Sequence, residues 1–167
     1  MIKKFNLFFL TFCMIGKIKY ASGSFASLAS CILFLLLITF FDFIFIFFIT
    51  LIIFSYSFIA INNSFDEFNS DDPQEIVVDE VAGQLLSLLA IPIYETLYPL
   101  PIIYYCIASF ILFRLFDVLK PYPVNYVDNN IKGALGIMLD DVLAAFYSII
   151  VLCVIFFFYW RITNENT

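Results

Sequence analysis

Acidic and basic side chains meet long apolar stretches at three points, and their types suit phosphoryl chemistry. Asp79 and Glu80 are adjacent in an otherwise apolar segment that continues through Val81, Ala82 and Gly83. Arg114, Asp117 and Lys120 recur at i, i+3 and i+6. That spacing sets them within about a 120° arc of one helical face, a cation–acid–cation stripe able to hold a metal-bound phosphate. Asp140 and Asp141 open the last apolar segment, behind Gly133 and Gly136. Each group has an ordinary alternative. The acid pairs could be N-terminal acids favoured by the helix macrodipole. The stripe could be an Arg114–Asp117 ion pair with Lys120 reaching for water. Yet three acidic sites beside lipid are costly to desolvate, and neighbouring carboxylates repel unless a cation or a proton lies between them. A divalent ion would relieve that repulsion, and could polarise a phosphoryl oxygen or activate a water.

Composition narrows the chemistry. The 167 residues are 63% hydrophobic and 13% charged, with 23 Phe and a net charge of −6. A soluble domain has about 45–50% apolar and about 25% charged residues, so lipid is the main solvent. No Lys/Arg stripe could neutralise a nucleic-acid backbone. There is no histidine, which removes imidazole ligands, a His base and phosphohistidine chemistry and leaves oxygen ligands suited to Mg²⁺ or Mn²⁺. Cys13, Cys31, Cys106 and Cys153 form no C-x-x-C pair and read as small apolar residues. No Cys is followed by Arg six residues on, no D-x-D occurs, and no phosphate-binding P-loop is present. These absences exclude the cysteine phosphatases, the haloacid-dehalogenase type and P-loop enzymes.

The positioning elements follow from the apolar runs. Phe25 to Ile61 is too long for one span of about 20 residues and reads as a tight helical hairpin with Asp42 near its tip. Residues 62–72 are a polar, acidic surface loop ending at Pro73. A helix is expected to start near Gln74 and run through Asp79-Glu80. Residues 85–113 read as two short helices joined by a Pro-containing turn at Glu95. Pro121 and Pro123 stop the stretch ending at Leu119, 122–130 is loop, and a last helix covers about Met138 to Trp160. Residues 1–19 form an uncleaved, membrane-associated leader with an apolar part too short to span. With both runs as hairpins, Lys3, Lys4, Lys17, Lys19, Arg114, Lys120 and Lys132 share one side, which the positive-inside rule makes cytoplasmic. Of the fourteen Asp and Glu, seven lie in 66–80 and four in 117–141, so both acidic stretches fall on that side. The expected fold is all-α: a multi-span helical membrane protein of about four to five membrane segments in hairpins, forming one domain with a core of about 20–160.

At these residues the sequence resembles the phosphatidylglycerophosphatase A family of bacterial membrane lipid phosphatases. The matching blocks are Asp72 to Gly83, Phe113 to Pro123 and Asp128 to Asp141, in the family's order and spacing. A weaker block runs Ser22-Gly23-Ser24-Phe25-Ala26-Ser27-Leu28. It departs from the family's pattern at Ser22, Ser24 and Ala26. Ala134 stands where many members have glycine, and Lys132 where a His is frequent. The resemblance implies Mg²⁺-dependent removal of the terminal phosphate of phosphatidylglycerophosphate, a phospholipid in the bilayer, at the cytoplasmic face of the inner membrane. By motif position it implies Asp79, Glu80, Asp117, Asp140 and Asp141 as catalytic acids. Asp79, Glu80, Asp140 and Asp141 are the implied metal ligands, and Arg114 and Lys120 the implied phosphate clamps. Asp128 and Lys132 are further candidates. The competing expectation is a non-catalytic, cation-binding subunit of a membrane complex.

Overall fold

The computed structural model describes residues 2–64 and 74–165. Every regular element among the described residues is a helix: α1 Ile2–Leu10, a 3₁₀ turn at Ile15–Lys17, α2 Ser22–Phe40, α3 Phe43–Ser64, α4 Val78–Leu88, α5 Ile91–Leu97, α6 Ile102–Leu119, α7 Val124–Asn130 and α8 Gly133–Glu165. Four helices, α2, α3, α6 and α8, are long and apolar enough to cross a membrane. Large apolar side chains such as Ile32, Phe48, Ile107 and Val154 are exposed on them, as expected of lipid-facing positions. The expected multi-span helical architecture is the one observed.

α2 and α3 form the hairpin expected for 25–61, and the break at Phe41-Asp42 leaves Asp42 exposed at its tip. The centre of the bundle is α4, which packs against α2, α3, α6 and α8. This explains its composition. Val78, Val81, Ala82, Leu85 and Leu88 are buried, and so are Gly83, Gln84 and Ser87, because it meets helices on every side.

Several element boundaries differ from expectation. α4 begins at Val78 rather than near Gln74, because the Val77 N–H donates to the carbonyl of Leu10 at 3.0 Å, outside any helix. Residues 85–113 hold the end of α4, then α5, then most of the full-length α6. Glu95 lies exposed within α5, and the Pro-containing turn falls at Tyr98–Pro101. Residues 124–130, expected as loop, form α7. The last helix starts at Gly133, five residues early, and runs to Glu165. Gly133 has φ +72°, a left-handed value that glycine adopts freely. The backbone at Gly136 lies so close to Ile131 that a Cβ there would sit 2.0 Å from its carbonyl oxygen. The 33 residues of α8 span about 50 Å against about 30 Å of hydrocarbon, so this helix outreaches the apolar layer. The N-terminal segment expected as a leader packs against α3. Its buried Asn6 donates to Ser64 Oγ at 3.2 Å and accepts from Tyr56 Oη at 2.8 Å. Most of the expected acidic loop, with Asp66, Glu67, Asp71, Asp72 and Pro73, lies outside the described residues.

Below the first turn of α4 is a buried polar node. Gln84 Nε2 donates to Ser109 Oγ at 3.1 Å, and Ser87 Oγ lies 2.9 Å from Ser109 Oγ and 3.0 Å from Ser148 Oγ. The node ties α4, α6 and α8 together where lipid offers no competing partner.

Candidate active site

The start of α2, the end of α6, α7 and the starts of α4 and α8 surround a cleft of about 870 Å³. Every site residue expected from sequence lines it: Asp79, Glu80, Arg114, Asp117, Lys120, Asp128, Lys132, Asp140 and Asp141. Carboxylates 62 positions apart in the chain therefore share one floor.

α4 carries Asp79 and Glu80 in its first turn, and α8 brings Asp141 against them. Carboxylate oxygens of these three residues lie within 4.8 Å of one another. Gly83 makes the approach possible. A Cβ there would come within 2.9 Å of the Phe113 ring and 3.0 Å of Asp141 Cβ, so the close neighbours admitted by this glycine are side chains of α6 and α8. Ala144 and Ala145, fully buried, continue the tight packing against Phe113.

Asp79 Oδ1, Glu80 Oε2 and Asp141 Oδ1 are buried without a hydrogen-bond partner among the described residues. A buried acceptor left unpaired costs about 1–3 kcal/mol and more when charged, so three residues that each have such an oxygen and cluster this closely could hold a cation. The donor set is oxygen alone, which suits a hard divalent ion. Burial raises the Asp79 carboxyl well above the usual range, and the charges of Glu80 and Asp141 raise it further. Glu80 is also raised, first by burial; Asp117 adds to the shift and Arg114 opposes it.

Asp140 is engaged differently from Asp141. Its Oδ2 accepts from Lys120 Nζ at 2.9 Å and its Oδ1 accepts from the Asp141 N–H at 3.1 Å. Lys120 also bonds to Asp128. Lys120 occupies the left-handed C-cap of α6 at φ 43°, a position that usually favours glycine. The turn aims its ammonium at the two acids. Burial lowers its pKa, but the bonds to Asp128 and Asp140 outweigh this and hold it well above the ordinary lysine value. Arg114 Nη1 lies 2.6 Å from Asp117 Oδ2 and 4.0 Å from Glu80 Oε1. The i,i+3 ion pair weighed as an alternative therefore forms, and it forms inside the cleft.

Sequence reasoning did not single out Gly23 as a site residue. A Cβ on it would sit 2.1 Å from Glu80 Oε1 and 3.1 Å from Arg114 Nη1. The available signal was its place in the Ser-Gly-Ser block. Lys17 and Lys19, read only as topology markers, also line the cleft.

Comparison with known proteins covers most of the chain. Residues 8–156 match the profile of the family described as phosphatidylglycerophosphatase A. A phosphatidylglycerophosphatase A of Haemophilus influenzae is 34% identical over 147 residues, 88% of this chain and 85% of that protein. A protein of Bacteroides thetaiotaomicron named putative phosphatidylinositol-3-phosphatase is 40% identical over 103 residues, 62% of this chain and 61% of that one. A phosphatidylglycerophosphatase A of Escherichia coli is 35% identical over 77 residues, 46% of this chain and 41% of that one. The matches thus span about three fifths of the Bacteroides relative and two fifths of the Escherichia coli one. No solved structure matches.

Proposed function

The chain belongs to the phosphatidylglycerophosphatase A family of lipid phosphatases, and from that premise we propose that it hydrolyses the terminal phosphomonoester of phosphatidylglycerophosphate, with Mg²⁺ as cofactor. The observation that carries this reading is the convergence of Asp79, Glu80 and Asp141 within 4.8 Å in one cleft with Arg114. On this reading the cleft faces the cytoplasm at a bacterial inner membrane, since five of the eight Lys and Arg residues line it, and the domain extends over the whole chain.

Asp79, Glu80 and Asp141 would hold the metal. Bound there, Mg²⁺ supplies charge stabilisation to phosphoryl oxygens and lowers the pKa of a coordinated water. Arg114 offers a planar fork to the same oxygens from a position already fixed by Asp117. Lys120, anchored by Asp128 and Asp140, places a second positive charge at the cleft wall. In the overall reaction water oxygen adds to phosphorus and the bond to the glycerol oxygen breaks. One proton moves from the water to the departing oxygen through the carboxylates. Direct water attack is preferred to a phospho-aspartate, because the acids converge as a ligand set rather than presenting one isolated nucleophile.

Phosphate release by the purified chain in mixed micelles tests the reading, with Mg²⁺ and with chelator. Phosphatidylglycerophosphate is expected to release phosphate only with Mg²⁺. No release from folded protein in Mg²⁺ would favour a non-catalytic cation-binding subunit. Phosphatidylinositol 3-phosphate belongs in the same assay, because the Bacteroides relative carries that substrate in its name; its preferred hydrolysis would move the substrate assignment and leave the site chemistry in place.

A further inference from the structure

The cleft is lined by five cations, and among the described residues two of them have carboxylate partners. Arg114 pairs with Asp117, and Lys120 with Asp128 and Asp140. Lys17, Lys19 and Lys132 line the same cleft, are exposed, and form no ion pair among the described residues. Lys19 lies 5.6 Å over the ring of Tyr20. The segment bearing Lys17 and Lys19 is held in place. A Cβ on Gly16 would lie 1.9 Å from the Glu75 carbonyl oxygen, so the turn is seated directly on the chain leading into α4. Ser22 Oγ adds a bond to the Gln74 carbonyl at 3.3 Å. Lys132 reaches the cleft from the separate segment between α7 and α8. Within one cavity, Arg114 and Lys120 are paired with acids, while Lys17, Lys19 and Lys132 come from two other chain segments and form no ion pair among the described residues, with Glu75 in the same lining.

The geometry points to a second anion subsite, formed by Lys17, Lys19 and Lys132, that takes the phosphodiester group of a glycerophospholipid while the monoester occupies the acidic site. This inference rests on the phosphatase reading, in which the substrate carries two phosphates separated by one glycerol unit. A single-charged diester needs no metal and suits ammonium groups that act as compact point charges. An exposed lysine cluster gives selectivity only if it meets the group at a fixed place, which the Gly16 contact supplies for two of the three.

The test uses lipid binding, so that it can fail independently of hydrolysis. The full chain in neutral-detergent micelles is titrated with phosphatidylglycerol, which has the diester and no monoester, and with phosphatidic acid, which has a monoester and no diester. K17Q/K19Q/K132Q is expected to bind phosphatidylglycerol about tenfold or more weakly and phosphatidic acid within about twofold of wild type. The K17R/K19R/K132R chain, which keeps the charges, is expected to restore phosphatidylglycerol binding. Excess inorganic phosphate should leave phosphatidylglycerol bound. Four results would overturn the subsite: no binding of phosphatidylglycerol by wild type, no loss in the glutamine variant, equal loss for both lipids, or displacement by inorganic phosphate. Failure of the phosphatase reading shows instead as absent phosphate release, whatever the lysine variants bind.

Discussion

Arg114 and Asp117 are joined at 2.6 Å across one turn of α6, with Glu80 4.0 Å away on the same guanidinium nitrogen. The pair holds the arginine in the cleft, and on the proposed reading an incoming phosphoryl group must share its donors with Asp117. Arg114→Lys keeps the charge and loses the planar fork. It is expected to lower kcat/KM for phosphate release about 10²-fold, or ~2.7 kcal/mol in transition-state terms. A Lys variant within twofold of wild type would show that the fork is not used.

Gly23 contributes by being small. In Gly23→Ala the new methyl would stand 2.1 Å from Glu80 Oε1. The carboxylate is the end of a flexible side chain and can move, so the fold should survive with a Tm close to wild type. The displaced Glu80 no longer faces Asp79 and Asp141 in the same way. Activity at limiting Mg²⁺ is expected to fall about tenfold or more and to recover partly as Mg²⁺ is raised. Loss of Tm with unchanged metal dependence would make Gly23 a packing residue only.

The raised carboxyls at Asp79 and Glu80 give the pH dependence a sign. An acid whose pKa is higher in the folded state stabilises the fold below its unfolded value, and this contribution is lost as pH rises through the folded value. The metal-free protein should therefore lose stability from about pH 4 upward. On the proposed reading Mg²⁺ takes the deprotonated form, so the gain in Tm it confers should grow as pH rises. Thermal unfolding in detergent with and without Mg²⁺ reads this directly. A gain that is constant, or larger in acid, would contradict it.

Ser109 lies at the crossing point of α4, α6 and α8. Its hydroxyl accepts from Gln84, pairs with Ser87, and its carbonyl accepts from Ser148 at 3.4 Å. Interhelical hydrogen bonds in lipid average about 0.6 kcal/mol and reach about 1.7. Ser109→Ala, which strands the fully buried Gln84 amide, is expected to cost ~1–2 kcal/mol in a reversible mixed-micelle unfolding assay. A cost near zero would show that the node does not hold the three helices together.

The acids of the site were legible because carboxylates beside lipid are conspicuous in a sequence. Asp79, Glu80, Asp117, Asp128, Asp140 and Asp141 all line the cleft, and the tip at Asp42 followed from hydrophobic length alone. How two adjacent aspartates divide their work was not legible. Asp141 turns to Asp79 and Glu80, while Asp140 turns to Lys120, a distinction set by the 100° step along α8 and the left-handed turn at Lys120. Gly23 escaped notice because its contribution is an absence of atoms opposite Glu80. The boundary of α4 escaped because Val77 bonds to Leu10, 67 positions earlier in the chain. Local propensity contains no trace of such a partner.

On the proposed reading Asp79, Glu80 and Asp141 jointly hold one divalent ion. Titration of the purified chain with Mn²⁺ as a spectroscopic stand-in for Mg²⁺ tests it most directly, comparing wild type with Asp141→Asn and with Asp42→Asn at the exposed far tip. Asp141→Asn is expected to weaken Mn²⁺ binding about 10²-fold or more, while Asp42→Asn is expected to bind as wild type does. Undiminished Mn²⁺ affinity in Asp141→Asn would contradict it.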